Sequence, residues 1–186
     1  PKDGLRPMST PRERRHINWS EIRKSPANLL ALLGATFFGS GLLPKAPGTW
    51  GTLAALPLWY AARDLPVSQR LLAWIVLAAW GVWSSKVFDE INCTQDNQNI
   101  VMDEATGVGI TAWTAGTNPI NYAVAFLLFR FFDIVKPWPV RAIDRWSHRS
   151  GNRWTAAFGV MGDDWMAGVQ GLLLMLLAQH FGWLSR

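Results

Sequence analysis

Residues 101–136 read VMDEATGVGITAWTAGTNPINYAVAFLLFRFFDIVK. Asp103 and Glu104 are followed by 25 residues without a charged side chain, from Ala105 to Phe129. The next charges, Arg130 and Asp133, are set among Phe126, Leu127, Leu128, Phe129, Phe131 and Phe132. No apolar–polar alternation of the strand kind runs through this stretch, so it reads as helices. Gly116-Thr117-Asn118-Pro119 is a turn, which predicts helices over about residues 100–114 and 121–135. The second stops at Lys136, because a residue before proline is pushed out of the helical region.

Outward from this stretch the same grammar repeats. Charge-free runs cover Ser25–Pro44, Ala46–Ala62, Leu71–Ser85 and Trp165–Ser185. They predict a helix from Asn28 to about Leu43, weakened by Gly39-Ser40-Gly41. A second runs from Thr52 to Ala62 with a kink at Pro57, and a third is a long helix from Ser68 to Glu90. Between the first two, the prolines and glycines of residues 43–52 argue against regular helix. Asn92–Asn99 reads as an unstructured polar loop. A basic amphipathic helix is expected from Val140 to Arg149, and a final helix from Asp163 to Trp183. The expectation is an all-α bundle of about six or seven helices forming one domain over residues 28–186, with a flexible basic arm over residues 1–27.

Composition adds the surroundings. Of 186 residues, 49% are hydrophobic and only 17% charged, and twelve are tryptophan, a residue favoured where apolar and wet surfaces meet. Several charge-free runs approach the roughly 20 apolar residues of a membrane span. Net charge is +5, with Lys2, Arg6, Arg12, Arg14, Arg15, Arg23 and Lys24 crowded into the arm. A basic arm leading into apolar helices points to anionic lipid on a cytoplasmic membrane face rather than to nucleic acid. The arm has no apolar core with a cleavage site, so no secretory signal is expected. Cys93 is the sole cysteine and has Asn99, not arginine, six residues on, which excludes an internal disulfide and a cysteine-phosphatase loop.

Chemistry concentrates where carboxylates meet apolar helices. Asp103-Glu104, Asp133 and Asp163-Asp164 come from three separate segments, and buried carboxylates are costly unless paired or metal-bound. Together they suit a hard, oxygen-ligated cation such as Mg²⁺. Asp163 and Asp164 also read as helix caps, and Asp133 as the local partner of Arg130 or Lys136. Lys45, Arg130 and Lys136 flank the same places and suit a phosphoryl group. The Gly48-Thr49-Trp50-Gly51-Thr52 stretch offers backbone N–H groups and the Thr49 hydroxyl to phosphate oxygens, although it lacks the ending of a nucleotide-binding loop. Arg141, Arg145, Arg149 and Arg153, spaced by four, read as a solvated stripe or as a grip on anionic headgroups, with Arg141 and Arg145 leading it.

Four ordered stretches carry a family resemblance: Leu42 to Ala55 (LLPKAPGTWGTLAA), Val101-Met102-Asp103-Glu104 with Gly107, Phe129 to Pro139 (FRFFDIVKPWP), and Gly159 to Asp164 (GVMGDD) with Ala167-Gly168. With them the chain resembles the phosphatidylglycerophosphatase A family from about Leu29 to its C-terminus. The resemblance implies hydrolysis of phosphatidylglycerophosphate to phosphatidylglycerol and inorganic phosphate, dependence on Mg²⁺, and residence at the bacterial inner (cytoplasmic) membrane. It carries the family's carboxylates onto Asp103, Glu104, Asp133, Asp163 and Asp164, and its phosphate-side residues onto Lys45, Thr49, Arg130 and Lys136. On this reading Glu104, Asp133 and one of Asp163 or Asp164 hold Mg²⁺, and Asp103 or the remaining aspartate serves as base. Residues 149–155 are longer than the family pattern, Ala156-Ala157 stands for a glycine pair, and Gly162 stands where a larger apolar residue is common. Phosphatidyl transferases and Ser-Gly-His phosphatases lack their motifs here. The remaining alternative is a divalent-cation carrier or scaffold, which leaves Lys45 and the Gly-Thr stretch unexplained.

Overall fold

A computed structural model describes residues 16–141 and 152–185. Seven α-helices and no strand occur among the described residues. They are α1 (Trp19–Ile22), α2 (Pro26–Ala35), α3 (Pro47–Ala61), α4 (Val67–Asn92), α5 (Met102–Thr111), α6 (Pro119–Val135) and α7 (Arg153–His180). The short α5 is the hub. It packs most heavily on α7 and also touches α3, α4 and α6, and eight of its ten residues are buried.

Small residues let α5 and α7 approach closely. A Cβ on Gly168 would lie 2.4 Å from the Gly107 carbonyl oxygen, and one on Gly171 would lie 2.7 Å from the Thr111 side chain. The Thr111 hydroxyl donates to Gly168 O at 3.1 Å, tying the two helices across that contact. Three tryptophans then pin α5 just beyond its acidic pair. Trp59 of α3 donates to Ala105 O at 2.8 Å, and Trp74 of α4 to Thr106 O at 3.0 Å. Trp165 of α7 donates to Thr106 Oγ1 at 2.9 Å.

Several boundaries differ from the sequence reading. The helix expected to reach Leu43 ends at Ala35, where the chain turns through positive φ at Phe37, Phe38 and Gly39 into a 3₁₀ turn at Ser40–Leu42. Helix α3 begins at Pro47, not Thr52, because proline is compatible with a first helical turn, so Gly48 and Thr49 are helical. The last helix begins at Arg153, not Asp163. Asn152 caps it by accepting from Trp154 N–H, and the glycines at 159 and 162 continue the helix. Asp163 and Asp164 are therefore mid-helix side chains and not caps.

Of the arm expected over residues 1–27, the part from His16 onward packs on the bundle. Ile22 is fully buried beside Leu32, Ala35, Phe88 and Ile100, Asn18 N–H donates to Asn92 Oδ1, and Asn97 Nδ2 donates to His16 O. The arginines of the arm before residue 16 lie outside the described residues. So do Arg145, Arg149 and most of the expected basic helix over residues 140–149.

Helices α4 and α7 are long and apolar enough to cross a membrane. Only 33% and 39% of their apolar windows are buried in the fold, whereas the core helix of a water-soluble protein is mostly buried. Leu72, Ile75 and Val76 on α4 and Leu173, Leu176 and Leu177 on α7 are exposed. An apolar exterior this extensive is unfavourable in water and is consistent with membrane association.

Candidate metal and phosphate site

The start of α3, the start of α5, the end of α6, the middle of α7 and the loop between α4 and α5 converge on one cavity of about 440 Å³. Six carboxylates line it: Asp96, Asp103, Glu104, Asp133, Asp163 and Asp164. Among the described residues two cations, Arg130 and Lys136, accompany them. Negative charge in that excess, half enclosed by protein, calls for a further cation.

Asp103, Glu104 and Asp164 form the tight core of the cluster. One carboxylate oxygen of each lies within 4.8 Å of the others. Asp103 and Glu104 sit in the first turn of α5, where the helix dipole favours negative charge, and Asp103 Oδ1 accepts from Glu104 N–H at 3.0 Å. Asp164 comes across from α7 through the Gly107–Gly168 contact. Burial first, then the neighbouring Glu104, pushes the Asp103 carboxyl well above its ordinary range. Glu104 is pushed up to about 8 by burial. A hydrogen bond with Asp103 opposes the rise, Asp164 and Asp133 add to it, and Arg130 works against it.

The set fits a metal ion. Glu104 Oε2 is buried and no donor reaches it. Carboxylate oxygens are the ligands hard cations such as Mg²⁺ prefer. A bound dication would replace the protons these groups otherwise retain. The fit also leaves no space for bulk beside it, because a Cβ on Gly48 would lie 2.0 Å from Glu104 Oε1. Thr52 holds that glycine in place by donating from its hydroxyl to Gly48 O at 2.7 Å.

Asp133 and Asp163 line the same cavity, each beside a cation. Arg130 Nη1 lies 2.6 Å from Asp133 Oδ2 and 3.7 Å from Glu104 Oε1. The shorter contact is an ion pair without hydrogen-bond alignment. The local Arg130–Asp133 pair foreseen from their spacing therefore forms, and it forms inside the site. Lys136, in the left-handed conformation that ends α6, pairs with Asp163 and joins α6 to α7. The sequence reading expected Glu104, Asp133 and one of Asp163 or Asp164 around the metal, all of which line this cavity, and the tightest group among the described residues is Asp103, Glu104 and Asp164.

Lys45 is exposed at the lip, adjoining Ala46, and Thr49 lies in the first turn of α3; neither lines the cavity wall. Arg141 is exposed beyond the end of α6. Sequence reasoning missed Asp96 and Gln98, both in the wall. Their signal was the density of polar side chains in Thr94–Asn99 between two apolar helices, which was taken for an unstructured loop.

A helical bundle with an apolar exterior consistent with membrane association, and a cavity whose buried carboxylates could bind a metal ion beside two cations, is the frame the site defines. Residues 33–179 match the family described as Phosphatidylglycerophosphatase A. A relative of that name from Escherichia coli K12 is 37% identical over 156 residues, covering 83% of this chain and 86% of the relative. Another of that name from Haemophilus influenzae is 32% identical over 159 residues, covering 84% and 91%. A protein of Bacteroides thetaiotaomicron, named provisionally as a phosphatidylinositol-3-phosphatase, is 37% identical over 165 residues, covering 84% and 97%. No solved structure matches the chain. The chain belongs to the phosphatidylglycerophosphatase A family and is an enzyme of the phosphatase class.

Proposed function

We propose that the chain hydrolyses phosphatidylglycerophosphate to phosphatidylglycerol and inorganic phosphate, with Mg²⁺, at the bacterial inner membrane. The observation that carries the reading is the buried Asp103, Glu104 and Asp164 group, with its unpartnered Glu104 Oε2, in one cavity with Arg130 and Lys136. The family and the names of its relatives supply the substrate. The apolar exterior supports a lipid substrate and a membrane setting.

Asp103, Glu104 and Asp164 would hold the metal, with Asp133 and Asp163 completing the acidic wall. When bound, Mg²⁺ supplies Lewis-acid polarisation of the phosphoryl oxygens. Arg130 and Lys136 neutralise the remaining oxygens as charge builds on them. Their carboxylate partners hold both side chains in place before substrate arrives. A carboxylate of the wall takes the proton of the attacking water, or attacks phosphorus itself and is freed by water in a second step; on either route the phosphorus–oxygen bond to the lipid breaks and phosphatidylglycerol leaves, its oxygen protonated by the proton the attacking water gives up or by solvent. Lys45 at the lip, Thr49 in the first turn of α3 and Arg141 beyond α6 would meet the anionic headgroup region, as would Arg145, with the basic N-terminal residues on the cytoplasmic side.

The test is phosphate release from phosphatidylglycerophosphate in mixed micelles, with Mg²⁺ and with EDTA, for the wild type and Asp133→Asn. Mg²⁺-dependent release that the variant loses is the expected result. No release with any divalent metal would overturn the reading and favour a cation carrier or scaffold. Transfer of ¹⁸O from water into phosphate within one turnover, with no trapped phospho-enzyme, separates direct attack by water from the two-step route.

A further inference from the structure

The loop between α4 and α5 is built as part of the site. Half-buried at the end of α4, Asp89 accepts from Thr94 Oγ1 at 2.6 Å, from Asp96 N–H at 2.9 Å and from Asn97 N–H at 3.1 Å. Asn97, fully buried, accepts from Asn99 N–H and Asn99 Nδ2, both at 3.0 Å, and donates to His16 O. Arg153, at the start of α7, donates to Thr94 O at 3.3 Å. These bonds hold Asp96 in a left-handed backbone, at φ 60°, and set Asp96 and Gln98 in the cavity wall. A loop that only joined two helices would need neither the Asp89 carboxylate nor a fully buried Asn97 to order it.

The cavity is also divided in charge. Arg130 and Lys136 come into the wall from the end of α6, whereas Gln98, a neutral amide, comes from this loop. Phosphate is drawn toward Arg130 and Lys136. Gln98 carries no charge to hold phosphate, but its amide both donates and accepts, as a hydroxyl does. A lipid whose phosphomonoester is carried on a polyol would therefore turn its hydroxyl toward this loop. Two relatives at the same 37% identity bear names that differ in that polyol, glycerol in one and inositol in the other.

We propose that the Thr94–Asn99 loop reads the polyol of the lipid headgroup, with Gln98 as a specificity-determining residue that hydrogen-bonds a free hydroxyl next to the scissile phosphate. This rests on the phosphatase reading above and adds the part of the substrate that the carboxylates and cations do not contact. Gln98 is exposed at the cavity, so its replacement leaves the helical core untouched.

The experiment compares kcat/KM for phosphatidylglycerophosphate and for phosphatidic acid, a lipid phosphomonoester without the added polyol, in mixed micelles with Mg²⁺. Losing one neutral hydrogen bond corresponds to roughly a three- to tenfold change. Gln98→Ala is therefore expected to lower kcat/KM on phosphatidylglycerophosphate about three- to tenfold more than on phosphatidic acid. If the wild type does not cleave phosphatidic acid, inhibition by glycerol 3-phosphate relative to inorganic phosphate gives the same comparison. Equal effects on both ligands, or no effect on either, would overturn the assignment to Gln98 while leaving the phosphatase reading intact. Absence of metal-dependent release by the wild type from every lipid phosphate would overturn both.

Discussion

Gly48→Ala tests the central geometry, because one methyl group meets the Glu104 carboxylate directly. The added Cβ would lie 2.0 Å from Glu104 Oε1, 3.0 Å from its Cδ and 3.1 Å from Arg130 Nη1. Ordinary contact begins at 3.4 Å, so the oxygen must withdraw by about 1.4 Å. A carboxylate at the end of a side chain can make that move with little effect on folding, and alanine is the better residue in a helical turn. The site cannot absorb it, since Mg²⁺ demands ligands at about 2.0–2.1 Å in near-ideal geometry. A misplacement of about 1 Å typically costs on the order of 100-fold in rate, or about 2.7 kcal/mol of transition-state stabilisation. The expected outcome is a fall of that order in kcat/KM and a weaker Mg²⁺ requirement curve, with the thermal midpoint in detergent nearly unchanged. Measuring kcat and KM across a Mg²⁺ titration, beside a melting curve, reads both quantities. Activity and Mg²⁺ dependence within about threefold of wild type would refute the claim that close approach of α3 holds Glu104 in place.

Other perturbations probe the surrounding frame. Trp165→Phe removes the 2.9 Å bond to Thr106 Oγ1; a cost of about 1 kcal/mol should appear as a lower melting temperature, together with weaker Mg²⁺ dependence, and an unchanged Mg²⁺ titration would show that this indole does not position the acidic pair. Gly168→Val drives a side chain into the Gly107 carbonyl, 2.4 Å from its Cβ; destabilisation of about 1–3 kcal/mol is expected, and an unaltered melting temperature would mean that α5 and α7 separate freely. In EDTA, the raised Glu104 carboxyl binds more protons in the folded than in the unfolded chain, so its contribution to stability is full below about pH 4.5 and is lost as pH rises through about 8, and Asp103 is shifted in the same direction. Melting temperatures in EDTA should therefore fall across that window and recover on adding Mg²⁺, whereas a flat profile would contradict the burial of these groups.

Much of this architecture is local in origin, which is why it was readable in one dimension. Charge-free runs, turns such as Gly116 to Pro119 and the stop before Pro137 place α4, α5 and α6 within a few residues, because each depends on nearby backbone preferences. The acidic segments and their flanking cations were equally visible, since ionisable side chains are scarce in such apolar surroundings. Helix starts were less legible. Pro47 and Asn152 can each begin a helix or break one, and packing chose the first. That choice moved Asp163 and Asp164 from a helix end to the middle of α7, where Asp164 meets Asp103 and Glu104 and Asp163 meets Lys136. The order of the Thr94–Asn99 loop is less legible, because besides the nearby Asp89 it comes from His16 and Arg153, far away in sequence. The chain alone decided which residues bear the chemistry and that they ride on helices. Their grouping into one cavity was decided by contacts between distant segments, the Gly107–Gly168 approach, the three indoles on α5 and the lack of a side chain at Gly48, because distances between side chains are set by packing and not by spacing along the chain.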